Sequence, residues 1–211
     1  MNNNPWTNIK VEEYEGHMKF IKQYDLLNII FKEQISEYPY TTISVLGVGC
    51  GNGLEHIKPN TTVYGYDINR NFLDKCRNLY GNSNYKLILN EIDLTDKDLN
   101  ICSCNIVISN LVVEYIGKYN FARIIKRCNP NYVSIVLQMT FDIDKAISDS
   151  PYKNILYNIS AIRTEIFPQD LTKILDIIGY QLVFSKTYDI DAFKSFIRMD
   201  FSNINTISCS F

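Results

Sequence analysis

Short apolar runs alternate with amphipathic stretches along most of the chain. The run Ile43-Ser-Val-Leu46 ends in glycines at 47, 49, 51 and 53, and Leu54-Glu55-His56-Ile57 follows. That order predicts a buried strand, a tight loop and the start of a helix. Further strands are predicted over Thr61–Asp67, from Leu87-Ile88-Leu89, over about Ile106–Ser109, and over Tyr132–Met139, Tyr180–Tyr188 and Phe193–Phe201. Helical spacing marks Leu26, Leu27, Ile29, Ile30, Phe31 and Ile35, the stretch from about 69 to 80 carrying Phe72, Leu73 and Cys76, the region near Phe121–Arg127, and Gln169–Ile178. Gly179 suits the position just past the last of these helices, and Asn129-Pro130-Asn131 reads as a turn. The nearly all-apolar Tyr132–Met139 belongs at the centre of a sheet. The last two strands follow each other too closely for a helical crossover, so the final strand runs antiparallel to its neighbour. The expected fold class is α/β: a doubly wound, Rossmann-like, seven-stranded sheet with an antiparallel last strand and helices on both faces. Residues 1–42 form an N-terminal helical segment able to act as a lid, and residues 43–211 form the main body of one globular domain. A ligand then belongs at the carboxyl ends of the first, second and fourth strands.

The glycine loop carries the chemistry. Alternate glycines permit positive φ and let a ligand approach the main chain, so a side chain at Gly49 or Gly51 is expected to push a ligand away. A helix N-terminus behind the loop would offer free N–H groups to a polar or anionic group. The dinucleotide pattern G-x-G-x-x-G/A fails, because its third glycine falls on Asn52 or Leu54. The phosphate-loop ending Gly-Lys-Ser/Thr is absent. What remains is G-x-G-x-G at Gly49, Gly51 and Gly53, a spacing that suits a methionine tail as well as a pyrophosphate. Asp67 ends the second strand 18 residues beyond Gly49. An acid there can accept both ribose hydroxyls of an adenosine; the bland alternative is that Asp67 or Asn69 caps the following helix.

At this point the chain resembles a class I S-adenosylmethionine-dependent methyltransferase of the small bacterial type. Val45-Leu46-Gly47-Val48-Gly49-Cys50-Gly51-Asn52-Gly53 resembles the first motif of that family, and Tyr64-Gly65-Tyr66-Asp67-Ile68-Asn69 the second. Leu89-Asn90-Glu91-Ile92-Asp93-Leu94 resembles the third, and Cys104-Asn105-Ile106-Val107-Ile108-Ser109-Asn110-Leu111 the fourth. The likeness runs from about Ile43 to about Phe201. It implies S-adenosylmethionine as cofactor. It also implies cofactor contacts from Gly47, Gly49, Gly51, Gly53, Asp67, Ile68, Asp93, Leu94 and Asn110, with Asp93 facing the adenine amine in competition with Glu91 and Asp96. The family usually has an acid where this chain has Gly47, so backbone carbonyls of Gly47 and Asn110 are left to hold the ligand's amino group. Asn110 is followed by Leu-Val-Val rather than Pro-Pro-aromatic, the family's signature for methylating a planar nitrogen.

Composition narrows the partners. The chain has 211 residues, 21 basic and 23 acidic, for a formal charge of −2. No basic stripe appears, which weighs against nucleic acid. No long apolar stretch or signal peptide is visible, so a cytoplasmic protein without membrane segments is expected. Of the six cysteines only Cys102 and Cys104 are closely spaced, with no histidine cluster beside them, so no metal site is expected. The partner is therefore a small-molecule methyl acceptor, with an RNA or protein acceptor, or a non-catalytic binding domain, as the alternatives.

Methyl transfer asks the protein mainly to align two reactants and exclude water, so acceptor residues leave a weak signature. Candidates are Glu114 and Tyr115 past the fourth strand, and Tyr14 and His17 in the N-terminal segment. The 142–167 region adds Tyr152, Tyr157, Arg163 and Glu165. Glu114 could equally be a solvated acid at a helix start. A lone His17 or His56 is the natural near-neutral base, though structural roles compete for both. Gln138 could reach a substrate or be satisfied by backbone.

Overall fold

The computed structural model describes residues 4–140 and 150–207. Seven strands form one sheet: β1 Thr42–Leu46, β2 Thr62–Asp67, β3 Lys86–Glu91, β4 Ile106–Asn110, β5 Tyr132–Thr140, β6 Tyr180–Asp189 and β7 Lys194–Asn203. Their order is β3-β2-β1-β4-β5-β7-β6. The first five pair in parallel, and β7 runs antiparallel to both β5 and β6. The strand order reverses between β1 and β4, which opens a crevice at their carboxyl ends.

The sheet is covered on both faces. On one face α2 (Gln23–Glu37) and α3 (Arg70–Tyr80) pack Phe31, Ile35, Leu73 and Cys76 against Ile43, Val45, Val63, Ile106 and Ile108. On the other, α4 (Val113–Ile116) leads into α5 (Lys118–Cys128), which packs with α7 (Pro168–Ile177). These bury Phe121, Ile124, Ile125, Leu171 and Leu175 on Val107, Val133, Ile135 and Phe201. Pro168 begins α7, where its missing N–H costs nothing. Gly179 ends the helical segment at φ +88. β4 is almost wholly buried, as is β5 over Val133–Leu137, whereas β6 is an outer strand exposed along most of its length.

The N-terminal segment is more divided than its apolar spacing suggests. A 3₁₀ turn, Pro5–Asn8, precedes α1 (Val11–Phe20), and Lys22 at φ +59 breaks the chain before α2. Asn69, fully buried, donates its side-chain amide to the carbonyls of Trp6 and Ile9 at 2.8 Å each. The same side chain caps α3 by accepting from Asn71 N and Phe72 N. One residue thus starts a helix and pins the N-terminal segment over the sheet. α6 (Lys153–Ser160) joins it, with Ile159 in one cluster with Ile9, Val11 and Phe72.

One expectation is corrected. No helix follows the glycine loop; Leu54–His56 makes a single 3₁₀ turn and Pro59 follows three residues later. His56 therefore lies on a turn, with its ring against the Asn28 side chain, 2.9 Å away. Part of the 142–167 region, residues 142–149, lies outside the described residues.

Candidate functional site

The glycine loop is a closed turn rather than an anion cradle. Gly47 N and Val48 N both donate to the Tyr66 carbonyl, at 2.8 and 3.0 Å. Gly49 N donates to Asp67 Oδ2 at 2.8 Å, Gly51 N to Val48 O at 3.0 Å and Gly53 N to Glu55 Oε2 at 3.1 Å. These amides have acceptors within the chain, and there is no helix N-terminus behind them. The expectation of free N–H groups presented to an anion is corrected on both counts. A pyrophosphate would find little to hold it here.

The four glycines serve different ends. Each has positive φ, between +54 and +96. A Cβ at Gly49 would meet nothing within 4 Å, and Gly49 borders a cavity. At Gly51 it would stand 2.7 Å from the Tyr80 ring and 2.9 Å from Cys76 Sγ, and at Gly53 2.6 Å from the Phe31 ring. Gly51 and Gly53 thus let the helices on that face close onto the loop. A Cβ at Gly47 would fall 2.3 Å from Val112 Cγ2, so Val112 fills the room in which the family's usual acid would begin.

The cavity, about 560 Å³, lies over the carboxyl ends of the strands, within the range of small-molecule sites. Gly47, Gly49, Asp67, Ile68, Asp93, Leu94 and Asn110 line it. Glu91 and Asp96 are not on its wall; Glu91 is exposed and reaches Arg70 at 4.0 Å. Asp67 accepts from Gly49 N and, through Oδ1, from Asn69 N at 2.9 Å. Each carboxylate oxygen has a second lone pair for a ligand hydroxyl. Burial pushes the Asp67 carboxyl up to about 6, while the amides of Asn69, Gly49 and Ile68 work in the other direction. Asp93 Oδ1 accepts from Thr95 N and Oγ1 at 2.8 and 2.7 Å, which orients it. The Asn110 side chain exchanges two 2.9 Å hydrogen bonds with the buried Gln34 of α2. Leu111, also on the wall, takes φ +59 and donates its N–H to Val136 O. A non-glycine residue in that region costs about 1–2 kcal/mol, and this strained turn sets Asn110 and Val112 at the cavity. Nothing in the local sequence marks it.

The N-terminal segment forms the roof. Trp6, Tyr14, His17, Met18, Ile21 and Leu27 line the cavity. Trp6 packs edge-on against Tyr115 at 5.1 Å and Tyr14 against Phe72 at 5.1 Å. Burial raises the phenol pKa of both Tyr14 and Tyr115. His17 Nδ1 lies 2.7 Å from Ser150 Oγ. Burial, helped by the Lys194 charge, takes the His17 imidazole down to about 4. His17 is therefore neutral at pH 7 and a weaker base than an ordinary histidine.

This shift carries a stability prediction. The unfolded chain binds a proton on His17 near the ordinary histidine value of about 6.5, while the folded chain resists it until about 4. The contribution is present above about 6.5 and is lost as pH falls through about 4. Thermal melts across that window should fall more steeply for the parent than for His17→Gln; parallel curves would show that the buried ring carries no such linkage.

Glu114 stands behind the wall rather than on it. It is 2% exposed, so the solvated reading is corrected. Its Oε1 accepts Gln138 N at 2.8 Å, and its backbone carbonyl accepts Thr164 N and Oγ1 at 2.8 Å. Burial raises its pKa. Arg163 Nη2 donates to Gln138 O at 2.9 Å. Gln138, Thr140, Ser160, Arg163, Glu165 and Lys194 complete the lining. Thr140 and Lys194 escaped the sequence reading, since only the β5–β7 register sets them side by side. Tyr152 packs against Gly16 of α1, where a Cβ would be 2.7 Å from its ring, and Tyr157 is exposed. Among the described residues no group of acids, cysteines and histidines could hold a metal, and no helix is long and apolar enough to cross a membrane.

Comparison with known proteins places this geometry. Residues 46–129 match the family model described as a methyltransferase domain. Among curated proteins, none matches the sequence. Among solved structures, the fold resembles magnesium protoporphyrin IX methyltransferase from Synechocystis PCC 6803 with bound S-adenosylhomocysteine. The two are 13% identical with a TM-score of 0.58, over 87% of this chain and 83% of that one. The same protein with bound S-adenosylmethionine gives 12% identity and a TM-score of 0.59 over 95% and 88%. An S-adenosylmethionine-dependent methyltransferase from Leishmania major gives 13% identity and a TM-score of 0.64 over 93% and 80%. At such identities the likeness is one of fold. Residues 46–129 thus match a methyltransferase domain, and the seven-stranded order ending in the antiparallel β7 is the fold these S-adenosylmethionine-dependent methyltransferases share.

Proposed function

We propose that the chain transfers the methyl group to an oxygen, nitrogen or sulfur atom of a small-molecule acceptor, and that it does so in the cytoplasm. The observation that carries this reading is the roofed cavity: one space runs from Asp67 and Asp93 to Gln138 and Lys194 beneath Trp6, Tyr14 and His17. When bound, S-adenosylmethionine supplies a methyl carbon made electrophilic by its sulfonium. In this reading Asp67 accepts the ribose hydroxyls through lone pairs not used by Gly49 N and Asn69 N. Asp93, held by Thr95, faces the adenine amine, with Ile68 and Leu94 as apolar walls. Main-chain carbonyls of Gly47 and Asn110 hold the amino group. Gly49 makes room for the ligand, and Gly51 and Gly53 keep the loop packed. Tyr14, Tyr115 and His17 enclose the acceptor and exclude water, which aligns the reactants. Glu114 acts as a positioning residue, fixing the end of β5 through Gln138 N. The free thiols Cys50, Cys76, Cys102, Cys104 and Cys128 suit a reducing compartment.

The test is a crystal structure with S-adenosylhomocysteine. Its sulfur is expected to face an enclosed space bounded by Tyr115, His17 and Gln138. An open basic groove at that point, with RNA binding that weakens steeply as salt rises, would sink the small-molecule reading and leave the donor site standing.

A further inference from the structure

We propose that the methyl acceptor is a small carboxylate with an apolar body, its anion held by Lys194 and Arg163 at the β5–β7 end of the cavity. This deepens the small-molecule reading and rests on it.

The placement follows from the sheet. β5 and β7 lie three and four strands from β2, about 14 and 19 Å at ordinary strand spacing. Asp67, on β2, and Lys194, on β7, therefore stand at opposite ends of one cavity. The acids Asp67 and Asp93 mark one end, and the cations Lys194 and Arg163 mark the other. Lys194 is 3% exposed, whereas Glu165, which also lines this end, is open to solvent. An ammonium has three N–H donors and a guanidinium five. Both groups can keep contacts within the chain, such as Arg163 to Gln138 O, and still donate to an entering carboxylate. Thr140, whose Oγ1 accepts from Gln138 Nε2, adds a hydroxyl donor on the same wall. Met18, Ile21, Leu27, Leu111 and Ile159 make the remaining surface apolar, which suits an aryl or alkyl body.

The electrostatics point the same way. Burial lowers the Lys194 ammonium pKa; Asp191 opposes this and the Arg163 charge adds to it. The Lys194 charge also helps hold His17 neutral. Two cations, Lys194 and Arg163, thus converge on a partly dry space beside a neutral His17. An anion placed among them relieves that repulsion, and in a low-dielectric site the attraction is stronger than in water.

The test uses the protein saturated with S-adenosylhomocysteine. Phenylacetate, 3-phenylpropanoate and hexanoate are titrated in, each beside its neutral amide. At least one acid should bind, with its amide weaker by about tenfold or more, the scale of a hydrogen bond to a charged group. Arg163→Gln and Lys194→Gln should each weaken the acid by about tenfold while leaving the amide and S-adenosylhomocysteine unchanged. Arg163 is only half-buried, so its variant keeps the test open should Lys194→Gln fail to fold. If no acid binds, if the amides bind as tightly as the acids, or if the variants keep the parent's affinity for the acid, the proposal is wrong. Equal binding of acids and amides would overturn the anion site alone and spare the small-molecule reading. Binding of neither series, together with salt-sensitive capture of RNA, would remove both.

Discussion

Asp67→Ala should weaken S-adenosylhomocysteine binding by about 1.5–3 kcal/mol, the range for hydrogen bonds to a charged group. The loss has two sources. The ribose hydroxyls lose their acceptor, and Gly49 N, which donates to Asp67 Oδ2 at 2.8 Å, loses the group that fixes the loop. The pH dependence separates the carboxylate's charge from its shape. Burial raises the Asp67 pKa to about 6, so the folded chain holds a proton that the unfolded chain releases near 3.8. The resulting stabilisation is fully present below about 3.8 and is lost as pH rises through about 6. Ligand binding should run the other way: ribose hydroxyls prefer the carboxylate, so affinity should fall as pH drops below about 6, with a proton released on binding there. Asp67→Asn should bind more weakly than the parent at pH 8 and lose this pH dependence. Calorimetry across pH 5–8 in buffers of different ionisation enthalpy reads both effects, alongside melts that check folding. Unchanged affinity in a folded Asp67→Ala would leave Asp67 as an anchor for the loop only.

Gly51→Val should destabilise the protein by about 2–5 kcal/mol, combining a β-branched residue at positive φ with overpacking of a closed interface. The backbone stands at φ +90, and the added Cβ would overlap the Tyr80 ring and Cys76 Sγ at under 3 Å. The loop would have to move off α3, and ligand affinity should fall with it. Gly49→Ala is the contrast. Its Cβ meets no protein atom within 4 Å, so the cost to folding is the backbone's alone, about 1–2 kcal/mol. Ligand binding should be lost to a larger degree, because the methyl group enters the cavity. Melting temperatures and S-adenosylhomocysteine titrations of both variants test the division. If Gly49→Ala binds as the parent does, Gly49 does not make room for the ligand.

Much of the fold was legible because it rests on short-range pattern. Apolar runs of strand length separated by amphipathic stretches gave all seven strands. The brief connection before Phe193 gave the antiparallel end of the sheet. The glycine spacing and Asp67 were readable together, since a strand, a turn and the next strand tip are close in sequence and tied by one hydrogen bond. The missing helix after the loop was not readable. Leu54-Glu55-His56-Ile57 has helical character over one turn, and only the packing around it shows that it goes no further. Glu55 turns back onto Gly53 N and takes hydrogen bonds from Asn28 and Tyr80.

The sequence by itself determined the architecture, the glycine loop and the acid at the tip of β2, because each depends on residues near one another in the chain. The tertiary structure decided where the loop's amides go, since Tyr66, Val48 and Glu55 accept hydrogen bonds that local pattern leaves open. It decided that Glu114 is buried behind β5 rather than solvated, and that Asn69 holds the roof as well as a helix. It alone assembled the acceptor end. Trp6, His17, Tyr115, Arg163 and Lys194 come from four separated parts of the chain, and meet because the N-terminal roof, α4, the segment after α6 and the start of β7 converge on one end of the sheet. Such a site leaves no spacing in the sequence, because its geometry belongs to the packing of elements and not to any one of them.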